Sequence, residues 1–369
     1  MEQNFNSGGY TVGVEEELMI LDGQTLDLTN AIEDMLGSPE RGEVKPELME
    51  SVLEISTDPC TSIADAASQL SELRHDVSMR AAAKGYAIGA AGTHPFARWE
   101  AQRIAKRSRY RDLISALRFV ARQELIFGMH VHVGLDDADT AIAVSNGMRM
   151  YCPMLLGLSA NSPYWRGDAT GLASTRMPIF RAFPRVGIPP YYEDWQEYAA
   201  RIQFQIASGV IEDYTYLWYD VRPHPRLGTV EIRAMDVQTR VEHTAGIAAL
   251  VQSLVRKIAT EFQAGKPPVK LHHEMLDENR WLAARHGLKS DVVDLPSFER
   301  IAMKALVRRV LDEVADHAID LGCRDELDGV RDLLERGNGA QRQVVVFEAN
   351  RDMRELMAEI VEATDTVVA

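Results

Sequence analysis

Three consecutive glutamates, Glu15, Glu16 and Glu17, interrupt the apolar run from Thr11 to Leu21. Strand side chains alternate between faces, so Glu15 and Glu17 look one way while Val12, Val14 and Leu18 look the other. Their Cβ atoms then sit roughly 7 Å apart on a rise of about 3.3 Å per residue. Two cations can be held at that spacing and bridged by phosphate oxygens. Turned into a protein without cations, arginines or donors, such carboxylates are costly; the alternative is a solvated edge strand.

Two further constellations carry chemistry. In Gly128-Met129-His130-Val131-His132-Val133-Gly134 both imidazoles share a strand face with both glycines, and Val131 and Val133 take the other face. Flanking glycines leave room for a ligand or metal. His-x-His alone suggests zinc or two satisfied core histidines, but the excess of carboxylates favours Mg²⁺ or Mn²⁺, which prefer oxygen. In Gly228 to Asp236, Glu231 and Arg233 share one face, either as a functional pair or as a structural ion pair.

Other candidates are more ambiguous. Glu54 alternates against Leu53 and Ile55 in the strand-like stretch Ser51 to Thr57, and Glu47 and Glu50 lie on its approach, where solvation is the simpler reading for Glu50. His94, beside Pro95, is either structural or part of a site. The basic run Arg98 to Arg111 reads as a solvated helix face or as a receiver of phosphate or carboxylate oxygens, with Arg109-Tyr110-Arg111 its most site-like piece. Asp168 to Pro190, rich in Gly, Pro and Arg, reads as a substrate or phosphate cover or as a surface excursion. It contributes Arg176, Arg181 and Arg185, and Arg222 and Arg226 follow further on.

The elements that must position these groups follow from periodicity. Ser62 to Lys84 is helical, with a cap at Thr61 or Ser62 and Asp65 in its first turn. Tyr86 onward is a small-residue strand, Thr140 to Leu158 a helix, and the chain from His243 is helical almost throughout, broken at Gly265 to Pro268, Gly287, Ser290 to Pro296 and Gly337 to Gly339. No linker or internal repeat interrupts the chain, so a single α+β domain spanning 1–369 is expected.

At 369 residues, 46% hydrophobic and 26% charged, the sequence has the composition of a folded globular protein, and no apolar run reaches the length of a membrane span. A net charge of −15 disfavours nucleic acid and anionic lipid, though an anionic nucleotide can still be bound through metal and arginine. The first residues lack a basic and an apolar signal region, which leads to a cytoplasmic expectation. Cys60, Cys152 and Cys323 are scattered, without ligand or disulfide spacing, and read as buried thiols. There is no P-loop or GxGxxG, and no convincing nucleophile constellation.

Taken in order, GVEEE, PELMESVLEIST, GTHPF, GMHVHVG, LGLSANSPYW and GTVEIR resemble the glutamate-cysteine ligase type 2 family, the carboxylate-amine ligases, and Glu278-Asn279-Arg280-Trp281 and Arg285-His286-Gly287 extend the resemblance. It implies a glutamine synthetase-like fold: a curved, mainly antiparallel β-sheet with helices on its convex side and a helical C-terminal third. The same resemblance implies ATP and Mg²⁺ (or Mn²⁺), with Glu15, Glu17, Glu54, His130 and Glu231 at metal-ligand positions. Glu47 stands where a more distant branch has an aspartate ligand, and His132 falls where relatives carry Asn. Arg233, with Glu231, would act on the transferring phosphate, while Arg109, Arg176 and Arg222 would receive oxygens of the bound substrates. The implied reaction joins glutamate or a similar carboxylate to an amine through an acyl phosphate, with room left for a homo-oligomer. A metal-dependent amide or ester hydrolase, a weakly catalytic metabolite- or nucleotide-binding protein and a phosphagen kinase are the alternatives. Nothing reads as a dedicated thiol pocket, so the acid is expected to be better specified than the amine.

Overall fold

The computed structural model describes residues 1–6 and 9–365. Its centre is an antiparallel sheet of seven strands, β1 (Val12–Asp22), β2 (Glu43–Pro46), β3 (Val52–Ser56), β4 (Tyr86–Gly89), β5 (Gly128–Gly134), β6 (Val221–His224) and β7 (Thr229–Asp236). The spatial order is β6-β7-β5-β1-β3-β2, and β4 joins the far end of β1. Strand β1 is long enough to pair with β5 along its first half and β4 along its second, so the glutamates fall where three strands run side by side.

Alternation along β1 sorts the side chains. Val12, Val14, Glu16 and Leu18 are buried on one face, and Gly13, Glu15 and Glu17 look onto the more open one. Three helices cover the buried face: α1 (Ile63–Ala82), α3 (Ala138–Met148) and α5 (Val241–Gln263). Helix α1 begins where expected, because the Ser62 side chain accepts from the Asp65 N–H and satisfies a first-turn donor. Helix α5 buries Ile247, Leu250, Val251, Leu254, Val255 and Ile258, and at about 1.5–3 kcal/mol per fully buried large aliphatic side chain this layer anchors the sheet. Helix α2 (Ser108–Leu117) has no buried residue and lies over the open face.

Three expectations are corrected. The helix expected over Thr140 to Leu158 is two, α3 and α4 (Cys152–Ser159), with Pro153 in the first turn of α4, where its missing N–H costs no bond. The basic run is helical only from Ser108; its earlier part is coil and a single 3₁₀ turn. A two-stranded hairpin, Asp291–Asp294 with Glu299–Ala302, interrupts the helical C-terminal third. There Asp291-Val292-Val293-Asp294 is short and does not alternate, so the sequence does not separate it from a break between helices.

Candidate active site

Cross-strand register builds the site in rows. Glu15 lies opposite His130, Glu17 opposite Glu54, and Glu231 opposite both His132 and Arg222. Gly13 faces His132, whose Cβ would stand 3.8 Å from an added Cβ there. A bulge between Ile232 and Met235 gives Arg233 its place: its N–H donates to the Asp220 carbonyl at 2.7 Å, outside the ladder with β5.

Two groups of three ligand atoms result. One oxygen or nitrogen from each of Glu15, His132 and Glu231 lies within 4.8 Å of the others, and so does one oxygen from each of Glu17, Glu47 and Glu54. The first group is held in place. His130 Nδ1 sits 2.9 Å from Glu15, and Arg222 donates to Glu231 through Nε (2.9 Å) and Nη2 (2.6 Å). Arg233 also pairs with Glu231. The second has fewer donors: the Gly128 N–H to Glu17 (2.5 Å) and the Leu48 N–H to Glu47 (3.1 Å).

Electrostatics divides the two groups in the same way. Burial pushes the Glu231 carboxyl up, but Arg222 and Arg233 outweigh it and hold it well below the usual range; Glu15 is likewise held down, against burial, by His132 and His130. At Glu47 and Glu54 nothing outweighs burial. Burial and the neighbouring Glu15, Glu47 and Glu17 push Glu54 well above the carboxylate range, and burial and Glu17 push Glu47 up to about 7. Burial and Arg233 lower His130, whereas Glu15 and Glu231 overcome burial and raise His132.

These residues fit divalent cations. Three carboxylates converge with little compensating charge, and the buried Nε2 atoms of both His130 and His132 lack a hydrogen-bond partner. His132 Nε2 comes within 3.4 Å of Glu15 without the geometry of a hydrogen bond. Sequence reasoning favoured His130 over His132 as a ligand; both imidazoles reach the site, and His132 belongs to the compact group while His130 is bonded to Glu15.

The groups floor a cavity of about 310 Å³. Helix α2 crosses it, with the Tyr110 hydroxyl donating to the Pro46 carbonyl (2.7 Å) and Arg109 to the Thr215 hydroxyl (3.0 Å). Arg109 therefore borders the cavity. Arg222 is occupied, its third nitrogen donating to the carbonyls of Thr215 and Leu217, so it positions Glu231. Arg176 is buried beside a side lobe of the cavity, whereas Arg181 turns away to Asp277 and Arg185 to the Tyr216 carbonyl. Glu50 is not solvated; it is buried and paired with Arg103 at 2.7 Å.

Sequence reasoning missed Glu124 and the aromatic side of the cavity. Glu124 precedes β5 in a segment without periodicity, and burial together with Glu17 and Glu47 raises its carboxyl well above the usual range. Phe180, Phe183, Trp218 and Tyr216 follow one another along the wall with centroids 5.5 to 5.7 Å apart. They come from separate segments, and only the isolated Trp and Tyr near Arg222 signalled them. No cysteine lines the cavity, and all three are buried and free.

This fold recurs in solved ligases. The glutamate-cysteine ligase of Francisella tularensis, determined in complex with AMP, superposes with a TM-score of 0.73 at 16% identity, covering 98% of this chain and 89% of that one. A bifunctional glutathione synthetase from Pasteurella multocida gives 0.72 at 14% identity over 96% of this chain and 52% of the other. At such identities the likeness shows the fold alone. Sequence narrows the assignment. The profile of glutamate-cysteine ligase family 2 matches residues 11–363, and the chain belongs to that family. A relative from Rubrobacter xylanophilus, provisionally named glutamate-cysteine ligase 2-1, is 40% identical over 100% of this chain and 98% of its own length. One from Sorangium cellulosum, provisionally named glutamate-cysteine ligase 2, is 37% identical over 96% of each. Among the described residues no helix is long and apolar enough to cross a membrane.

Proposed function

We propose that the chain is an ATP-dependent carboxylate-amine ligase that couples the γ-carboxylate of glutamate to an amine, with Mg²⁺ or Mn²⁺ held by Glu15, His132 and Glu231 and by Glu17, Glu47 and Glu54. The observation that carries this reading is the second group: three converging carboxylates with few donors and, among the described residues, no arginine paired with them, on a face that also holds Arg233. Bound there, the cations supply positive charge to the phosphate oxygens of ATP.

A carboxylate does not react with an amine at neutral pH, because its leaving group would be oxide. In the proposed reaction a γ-carboxylate oxygen attacks the γ-phosphorus, the bond to ADP breaks, and an acyl phosphate forms. The amine nitrogen then attacks the acyl carbon, the carbon–oxygen bond breaks, and phosphate leaves, with the proton from nitrogen passing to phosphate or solvent. Arg233 adds a fixed positive charge beside the transferring group, and Arg222 keeps Glu231 ionised and oriented. Helix α2 and the aromatic wall shield the acyl phosphate from water. The provisional names of the relatives and the AMP complex of the Francisella enzyme support the same reading.

ADP release, followed with Mg²⁺ and ATP over a panel of carboxylates and amines, tests it. Release that requires both an acid and an amine, and is stopped by chelation of the metal, is expected. Hydrolysis of an amide or ester without ATP would overturn it in favour of a metal-dependent hydrolase.

A further inference from the structure

The side lobe of the cavity measures about 40 Å³, room for roughly three waters at about 10–15 Å³ each. It shares Glu17, Glu47, Glu124 and Arg233 with the main cavity, while Arg176 borders the lobe alone. Arg176 is 5% exposed, and its Nε has no hydrogen-bond partner, as is also true of the Nε of Arg233. A guanidinium so deeply buried normally has its donors engaged, because an unpaired buried donor is costly.

Steric room puts it there. The guanidinium stands 5.7 Å over the Phe180 ring and lies against Gly128, where an added Cβ would fall 2.4 Å from Nη2 and 2.8 Å from Cζ. The first glycine of GMHVHVG thus makes space for Arg176 as well as for the imidazoles. The Glu124 carboxyl, raised by burial, borders the same lobe, near enough to feel both arginines. Among the described residues Glu124 forms no ion pair with either, so a carboxyl group and a guanidinium face one small space unpaired.

We propose that the lobe receives the amino-acid head of the acid substrate, Arg176 taking its α-carboxylate and Glu124 its ammonium. The reacting carboxylate then reaches back to Glu17, Glu47 and Glu54. This assignment rests on the ligase reading and adds residues that select the acid. The head brings both charges on one carbon, which suits a space of this size, and an acid lacking either charge leaves a buried partner unpaired. Arg233, which borders both spaces, remains for the transferring phosphate.

Kinetics with glutamate, 4-aminobutyrate (no α-carboxylate) and glutarate (no ammonium) test the assignment. Arg176→Met is expected to raise KM for glutamate about a hundredfold while leaving 4-aminobutyrate within about threefold and KM for ATP unchanged. Glu124→Gln should penalise glutamate and spare glutarate, and Gly128→Ala should behave as a weaker Arg176→Met. Arg176→Lys keeps the buried charge, guards against simple unfolding, and should recover part of the affinity. Equal losses for all three acids, or a parallel rise in KM for ATP, would overturn the assignment. Should the wild type release no ADP with any pair, the ligase reading falls by itself. Calorimetric binding of glutamate with Mg²⁺ and a non-hydrolysable ATP analogue then decides the lobe: weakening by Arg176→Met upholds it, and unchanged binding overturns it.

Discussion

The two faces of strand β1 treat the same side chain in opposite ways. Glu16, on the helix-covered face, is fully buried, and Arg74 meets it with two donors at 2.8 Å each, Nε and Nη2, while the Thr244 hydroxyl adds a third at 2.6 Å. The remaining Arg74 donors go to the carbonyls of Gln238 and Thr239, each at 2.7 Å, and of Thr364 at 3.4 Å. That charge is internally complete. One residue to either side, Glu15 and Glu17 join groups completed by other carboxylates and by imidazoles with orphaned nitrogens. A buried carboxylate whose partners all come from the chain ties elements together; one whose neighbours are more carboxylates stores repulsion that an external cation relieves.

This contrast is breakable at either face. Glu54→Gln and Glu15→Gln should each lower ATP-dependent ADP release ten-thousandfold or more, above about 5 kcal/mol. Glu54→Gln should leave the melting temperature unchanged or raise it, since it removes repulsion, whereas Glu15→Gln gives up its contacts with His130 and His132 and should lower it slightly. Activity above a few per cent in both would remove the cation assignment. Arg74→Met should do the reverse, costing about 3 to 5 kcal/mol of stability in denaturant titration by stranding Glu16, with little loss of activity per folded molecule. Adding Glu16→Leu to it should restore most of the stability; if the double variant is as unstable as the single, packing rather than charge holds this junction.

Much of the open face was legible in the sequence because alternation has a period of two: Glu15 with Glu17, His130 with His132, and Glu231 with Arg233 all share the faces expected of them. Register between strands was not legible, so neither the division into two groups of three nor the place of His132 in one of them could be read. Glu16 shows the limit most clearly. Its partner Arg74 lies 58 positions away on a helix whose pattern predicts a helix but not which residue reaches the sheet. Arg222 was expected to grip substrate and instead holds Glu231, because nothing local announces that an arginine's donors are already used. Glu124 and the aromatic wall come from segments without periodicity, where sequence carries no face.

Histidines repeat the contrast and supply a pH test. His94, expected as either structural or functional, is completely buried and bonded at both nitrogens: Nε2 to the Leu26 carbonyl at 2.9 Å, and Nδ1 from the Ala97 N–H at 3.0 Å and the Phe96 N–H at 3.3 Å. Accepting at Nδ1 fixes the neutral tautomer protonated on Nε2, and burial lowers its pKa to about 4. The unfolded chain takes up a proton near pH 6.5 and the fold does not until about 4. His94 therefore leaves stability intact above pH 6.5 and removes about 3 kcal/mol as pH falls to 4. Denaturant titrations between pH 7 and 4 should show that slope, and His94→Gln should flatten it while lowering stability at pH 7. An unchanged slope would mean that other groups dominate acid unfolding.

The smallest expected effect concerns Arg233, which stands between the two kinds of charge. It pairs with Glu231 as a structural arginine would, yet its Nε is buried without a partner and its Nη1 lies 3.5 Å from His130 Nδ1. Glu231 raises the Arg233 pKa against burial, so the group stays cationic throughout the working range. An arginine serving only Glu231 would tolerate lysine, because Arg222 already supplies two donors to that carboxylate. One that stabilises the transferring phosphate needs the planar fork, which an ammonium does not reproduce. Arg233→Lys should then lower kcat about tenfold to a hundredfold, roughly 1.4 to 3 kcal/mol, with KM for ATP within about threefold, the signature of an interaction made chiefly in the transition state. A change confined to KM would make Arg233 a ground-state clamp on the nucleotide. Loss of stability with unchanged kinetics would place it with Glu16 and Arg74, among the charges the fold keeps for itself.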